Sequence, residues 1–141
     1  MSRKVVLVPC SGIGKAFGSV TREAAYLVNE DLRPESTTIV PLALLVLGDE
    51  AAKAEIERSP VITLDGCKLG CARVNVCQAG GQVAKEFAVL DFYRQHRELK
   101  PQGISQLNEE GLELARRLAA EVAAACDVLS AGESEGGADH A

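Results

Sequence analysis

The chain has 141 residues, 47% apolar and 25% charged, the size and mix of one globular domain. A chain of ~150 residues buries roughly 70% of its unfolded surface, which excludes a disulfide-scaffold toxin, a collagen-like fibre and a fully disordered chain. Fifteen basic against 20 acidic residues leave a net charge of −5, and aromatics make up only 4%, so neither nucleic-acid phosphates nor stacked bases are expected partners.

The N-terminal apolar run Val5-Val6-Leu7-Val8 is stopped by Pro9 and is too short for a secretory signal. The longest apolar run, Ile39 to Leu47, is broken by Pro41 and falls short of the ~20 residues that a membrane span needs. A cytoplasmic protein with no membrane partner is expected. In a reducing compartment, clustered cysteines more often bind metal or do redox chemistry than form structural disulfides. The odd count of five also argues against full pairing.

In chain order, Lys4 to Val8 is a continuous apolar run ending at Pro9-Cys10-Ser11-Gly12, the pattern of a strand buried on both faces. Ser19 or Thr21 is expected to cap a helix with Ala24, Leu27, Val28 and Leu32 on one stripe, stopped by Pro34. Thr38 to Leu47 reads as a second buried strand closed by Gly48, and Asp49 to Arg58 as a short polar helix. Val61 to Leu64 is a third strand, leading into Asp65-Gly66-Cys67. Cys71 to Ala79 is expected to be helical, with Gly80 as its stop. Gln82 to Leu90 fits a helix through Val83, Phe87 and Leu90, and a strand through Phe87 and Val89. Asn108 starts a last helix with the stripe Leu112, Ala115, Ala119, Val122, Cys126, Leu129.

This alternation predicts an α/β fold: one open, mainly parallel sheet with helices on both faces, a Rossmann-like or flavodoxin-like three-layer arrangement. Residues 1–129 form the domain. Residues 130–141 are small and acidic, without large apolar groups, and are expected to be a flexible tail. In such folds, sites form beyond the carboxyl ends of the strands, near a switch in strand order. Cys10 and Cys67 each fall just past a strand end.

Cys67-Lys68-Leu69-Gly70-Cys71 is a C-x₃-C turn, and thiolates two to four residues apart can chelate one tetrahedral metal. Its placement where a strand meets a helix favours the thiolate, because a helix N-terminus lowers a thiol's pKa. Cys10 is the candidate third ligand. Cys126 fits the core stripe of the last helix. Cys77 is a candidate fourth ligand only if the chain after Cys71 is a turn or broken helix. In a continuous helix, six residues carry it about 9 Å along the axis and about 240° around it.

Ser11-Gly12-Ile13-Gly14-Lys15 does not complete a nucleotide phosphate loop, because Pro9 and Ala16 stand where Gly and Ser or Thr are required. A small anion on the loop's N–H groups stays as a minor expectation. His96 lies in a charged, exposed stretch with no second ligand within a helical turn. Asp65 either orients a ligand or forms the turn before Gly66.

Val8-Pro9-Cys10-Ser11-Gly12, with Asp65-Gly66-Cys67 followed by Cys71-Ala72, resembles the DGC-domain family, named for its Asp-Gly-Cys motif. The resemblance runs over roughly Lys4 to Leu129. It implies zinc binding through Cys10, Cys67 and Cys71, and no established reaction. This chain departs from the pattern in having no cysteine within Pro41 to Gly48, near the end of the second strand. The fourth ligand is then Cys77, a carboxylate or water, and an open fourth position resembles a catalytic or sensing site. Two alternatives stand beside zinc. One is a thiol-dependent redox or transfer enzyme, with Cys10 as nucleophile and Cys67 or Cys71 as resolving thiol. The other is an iron–sulfur cluster.

Overall fold

A computed structural model describes residues 4–10, 15–66, 69–103 and 106–139. Four strands, β1 (Val5–Pro9), β2 (Thr37–Ile39), β3 (Val61–Asp65) and β4 (Val83–Ala88), form one open sheet. All neighbours pair in parallel, in the order β2-β1-β3-β4. Among the described residues, six α-helices accompany them: α1 (Ala16–Leu27), α2 (Leu42–Leu47), α3 (Glu50–Arg58), α4 (Cys71–Gln78), α5 (Val89–Arg94) and α6 (Glu109–Asp139). The open, parallel α/β sheet expected from the alternation of elements is present.

β1 and β3 lie inside the sheet and are buried along their whole length. Successive strand residues point to opposite faces, and the two faces of β1 feed two separate cores. Val5 and Leu7 pack with Val20 and Ala24 of α1, Phe92 of α5, and Leu114, Leu118 and Val122 of α6. Val6, Val8 and Cys10 pack with Leu42 and Leu45 of α2, Ala52 and Ile56 of α3, and Ala72 and Val76 of α4. Cys126 is fully buried in the first core, where burial pushes its thiol up to about 11. It is core filling, as its place on the helical stripe indicates.

Local chemistry sets the helix ends. The Asp49 carboxylate accepts from Ala52 N–H at 2.9 Å and starts α3. Asn108 caps α6 by accepting from Gly111 N–H at 2.9 Å. The α6 backbone stays helical beyond Leu129 to Asp139.

Two sequence expectations are corrected, and one segment left open between strand and helix is resolved. The second strand spans only Thr37–Ile39, and most of the run read as strand is α2. A solid apolar run has the same periodicity in a buried strand and a short helix. Pro41 decides between them: it has no N–H for a ladder, and its φ of −62° suits a helix start. Gly48, at φ +78°, closes the helix in a left-handed conformation. The helix leaves Val46 65% and Leu47 80% exposed.

The first helix begins at Ala16, and neither Ser19 nor Thr21 caps it. Both are buried within the helix, where the Thr21 hydroxyl donates back to Gly18 O. Its far end widens into a π-helical turn, Val28–Leu32, before Pro34. Finally, Gln82 to Leu90 is neither wholly strand nor wholly helix: β4 ends at Ala88 and α5 begins at Val89.

Candidate metal centre

The order β2-β1-β3-β4 places the topological switch between β1 and β3, because the chain leaves β1 toward β2 and then crosses back. Cys10 extends β1 by one residue, its N–H donating to Leu64 O of β3 at 2.8 Å. The side chain is only 7% exposed. Among the described residues, two groups reach the sulfur. Gly66 N–H donates to Cys10 Sγ at 3.3 Å, and Thr21 Oγ1 of α1 stands 3.6 Å away.

The Asp-Gly-Cys turn follows from its surroundings. A Cβ on Gly66 would stand 3.0 Å from Gly18 N and 3.1 Å from the Phe17 carbonyl carbon. These are backbone atoms of α1, which would have to give by a few tenths of an ångström to admit a side chain here. Asp65 is buried, and its carboxylate spans the turn to accept from Ala72 N–H at 2.7 Å and Arg73 N–H at 3.3 Å. Asp65 thus satisfies first-turn donors of α4 that have no partner within the helix. Gly70, the residue before α4, has φ +64° and offers no side-chain cap.

Cys71 is the first residue of α4 and is exposed. The carboxylate of Asp65 therefore ties the turn carrying Cys71 to the end of β3. Cys71 is the smallest of the influences that shift the Cys10 thiol. Cys67 follows Gly66 directly in sequence and lies outside the described residues, as does Ser11-Gly12-Ile13-Gly14, read as a candidate anion loop. Cys77 is also exposed, but α4 is continuous from Cys71 to Gln78. The helix carries Cys77 about 9 Å along and about 240° around from Cys71. Cys10 ends β1 beside Gly66, Asp65 ties the start of α4 that bears Cys71 to the end of β3, and Cys77 lies further along α4.

Burial is the largest influence on the Cys10 thiol and pushes it above its ordinary value; Thr21 and Gly66 N–H pull it down by less, and Asp65 and Cys71 add to the rise. This is opposite to the direction an activated nucleophile requires. Burial also raises Asp65, against the opposing pull of the Ala72 and Arg73 N–H groups and the Arg73 guanidinium, with Glu86 adding to the rise.

Beside the turn, over the ends of β3 and β4, lies a cleft of about 350 Å³ lined by Asp65, Arg73, Glu86, Phe87 and Asp91 among others. Arg73 spans part of it to reach Glu86 at 3.5 Å. His96 lies elsewhere, stacked on Phe92 with centroids 4.6 Å apart and 3.2 Å from Arg117.

Among the described residues, no three His, Cys, Asp or Glu side chains cluster as a complete metal site. Cys10, Cys71 and Cys77, with Cys126 in the core, are free thiols. The donor chemistry suits a thiophilic metal. A buried sulfur accepts a backbone N–H, and a second thiol begins a helix pinned to the neighbouring strand end. Sequence reasoning found these cysteines but missed two supports. Thr21 was read as a helix cap, although its position one helix after β1 was the available signal. The carboxylate of Asp65 reaches forward to α4, which turn chemistry alone does not announce.

A family model for the DGC domain matches residues 6–116, from within β1 to the second turn of α6. The chain belongs to this family. The match takes in Cys10, Asp65-Gly66-Cys67, Cys71 and Cys77. Searches of curated proteins and of solved structures find no match. Among the described residues, no helix is long and apolar enough to cross a membrane. The resemblance seen in the motifs is thus family membership, and in this chain Asp65 and Gly66 of the motif stand at the strand switch.

Proposed function

We propose that this DGC-domain protein binds one zinc ion through Cys10, Cys67 and Cys71, in a reducing, cytoplasmic setting. The observation that carries the reading is the Gly66 N–H on Cys10 Sγ. It fixes the end of β1 against the residue just before Cys67, while Asp65 holds the helix start that bears Cys71. Gly66 N–H supplies the kind of N–H···S support that orients a metal-bound thiolate.

Cys77 does not share this face of α4, so the fourth position falls to water or a carboxylate. A zinc ion with such an open position supplies a Lewis acid beside the cleft over β3 and β4. Cys10 holds and shields the site, Asp65 fixes the helix start, and Cys71 presents its sulfur from the rim.

Metal analysis of protein purified under reducing, chelator-free conditions tests the reading. About one equivalent of zinc is expected, and Cys67→Ser is expected to lose most of it. Less than about 0.2 equivalents of any metal in the parent protein rejects it. Brown protein with visible absorption after anaerobic purification reassigns the thiolates to an iron–sulfur cluster.

A further inference from the structure

We propose that Thr21 is a positioning residue for the Cys10 sulfur, setting how tightly the site holds its metal; the proposal rests on the metal reading above. Thr21 lies on α1, is 0% exposed, and is eleven residues from Cys10 in sequence. Its Oγ1 stands 2.6 Å from Gly18 O and 3.6 Å from Cys10 Sγ. A hydroxyl has one proton, and the short contact to Gly18 O takes it. The lone pairs of Oγ1 then face the sulfur as acceptors for the thiol S–H. The same hydroxyl serves a deprotonated sulfur by turning its proton to it, because hydroxyls both donate and accept.

These contacts close a circuit. Cys10 Sγ meets Thr21 Oγ1, which donates to Gly18 O. Gly18 N is where a Cβ on Gly66 would collide, and Gly66 N–H donates back to Cys10 Sγ. The sulfur is therefore held between α1 and the turn after β3, from two directions. An ordinary threonine bonded only to its own helix would leave the sulfur without this contact from α1. Groups that orient a metal's ligands typically change affinity 10- to 100-fold when removed.

The experiment uses the reduced, metal-free full chain. Cobalt(II) is titrated in, with thiolate-to-cobalt charge-transfer absorption and chelator competition as readouts. Thr21→Val is expected to weaken cobalt binding about 10- to 100-fold and to shift the charge-transfer band, and Thr21→Ser to restore both. A readout that needs no metal is the infrared S–H stretch of Cys10, assigned by its loss in Cys10→Ala. It is expected to rise in frequency in Thr21→Val and to stay near the parent value in Thr21→Ser. Circular dichroism melts confirm that each variant is folded. Parental cobalt affinity and spectrum in Thr21→Val, or an unmoved S–H band, overturn the positioning role while leaving the metal reading intact. A parent protein that takes up no cobalt overturns the metal reading, and the proposed role with it.

Discussion

Gly66 is the point where the Asp-Gly-Cys turn meets the backbone of α1, so a single methyl group there tests the closeness of the fit. Gly66→Ala places carbon 3.0 Å from Gly18 N, where no flexible side-chain end is available to move. Either the turn or α1 must shift. A destabilisation of about 1–3 kcal/mol is expected, the usual cost of overpacking. Urea denaturation checks it, and an unchanged midpoint would show that the turn yields freely. The residues that carry this fit differ in how readily sequence reveals them. Cys126 declares itself by its place on a helical stripe, and burial in the first core follows. Cys10 and Cys71 are legible from strand ends and spacing. Thr21 is not, because its partner sulfur is eleven residues away and is met only once α1 lies across the end of β1.

At the scale of the element, α4 shows how a helix start is built from a distance. Its preceding residue is a glycine with no side chain, and the acceptor comes from the end of β3 through Asp65. Asp65→Ala removes both acceptors and leaves the Ala72 and Arg73 N–H groups without them. A loss of about 0.5–2 kcal/mol is expected, as for other lost caps. Hydrogen exchange locates it: the Ala72 and Arg73 amides should exchange faster, while the β1 and β3 amides keep their relative protection. Uniform acceleration across the sheet would instead point to a global role for Asp65. The same scale explains the errors of boundary. α3 and α6 were legible because Asp49 and Asn108 are adjacent caps written in the sequence. α2 was not, because Leu42 to Leu47 is apolar at nearly every position and only Pro41 and Gly48 mark it. The strand-to-helix change after Ala88 has no breaker at all, so nothing local in the sequence separates β4 from α5.

At the scale of the whole molecule, the open parallel sheet was legible because alternating elements and right-handed crossovers leave few arrangements for a short parallel sheet. What the pattern did not contain is how distant segments are clasped. Arg33, just after the π-helical turn, meets Asp127 of α6 through two parallel hydrogen bonds of 2.7 Å each. This clasp joins the connection between α1 and β2 to the last helix. Arg33 holds the Asp127 carboxyl below its ordinary value, mainly by hydrogen bonding and further by its charge. The folded state thus holds fewer protons than the unfolded state between the two pKa values. The stabilisation is fully present above the unfolded value of ~3.9 and is lost as pH falls through the folded one. Both side chains are well exposed, at 35% and 54%, so solvent screening keeps the effect small. Asp127→Asn is expected to lower the melting temperature by about 1–4 °C near neutral pH. The gap between the variant and the parent should close as the pH is taken below the folded value, because the parent carboxyl is then neutral as well. Arg33→Gln should reproduce the neutral-pH loss, and the double variant should lose no more than either single one, since each removes the same clasp. A gap that persists undiminished in acid would assign the loss to packing on α6 instead.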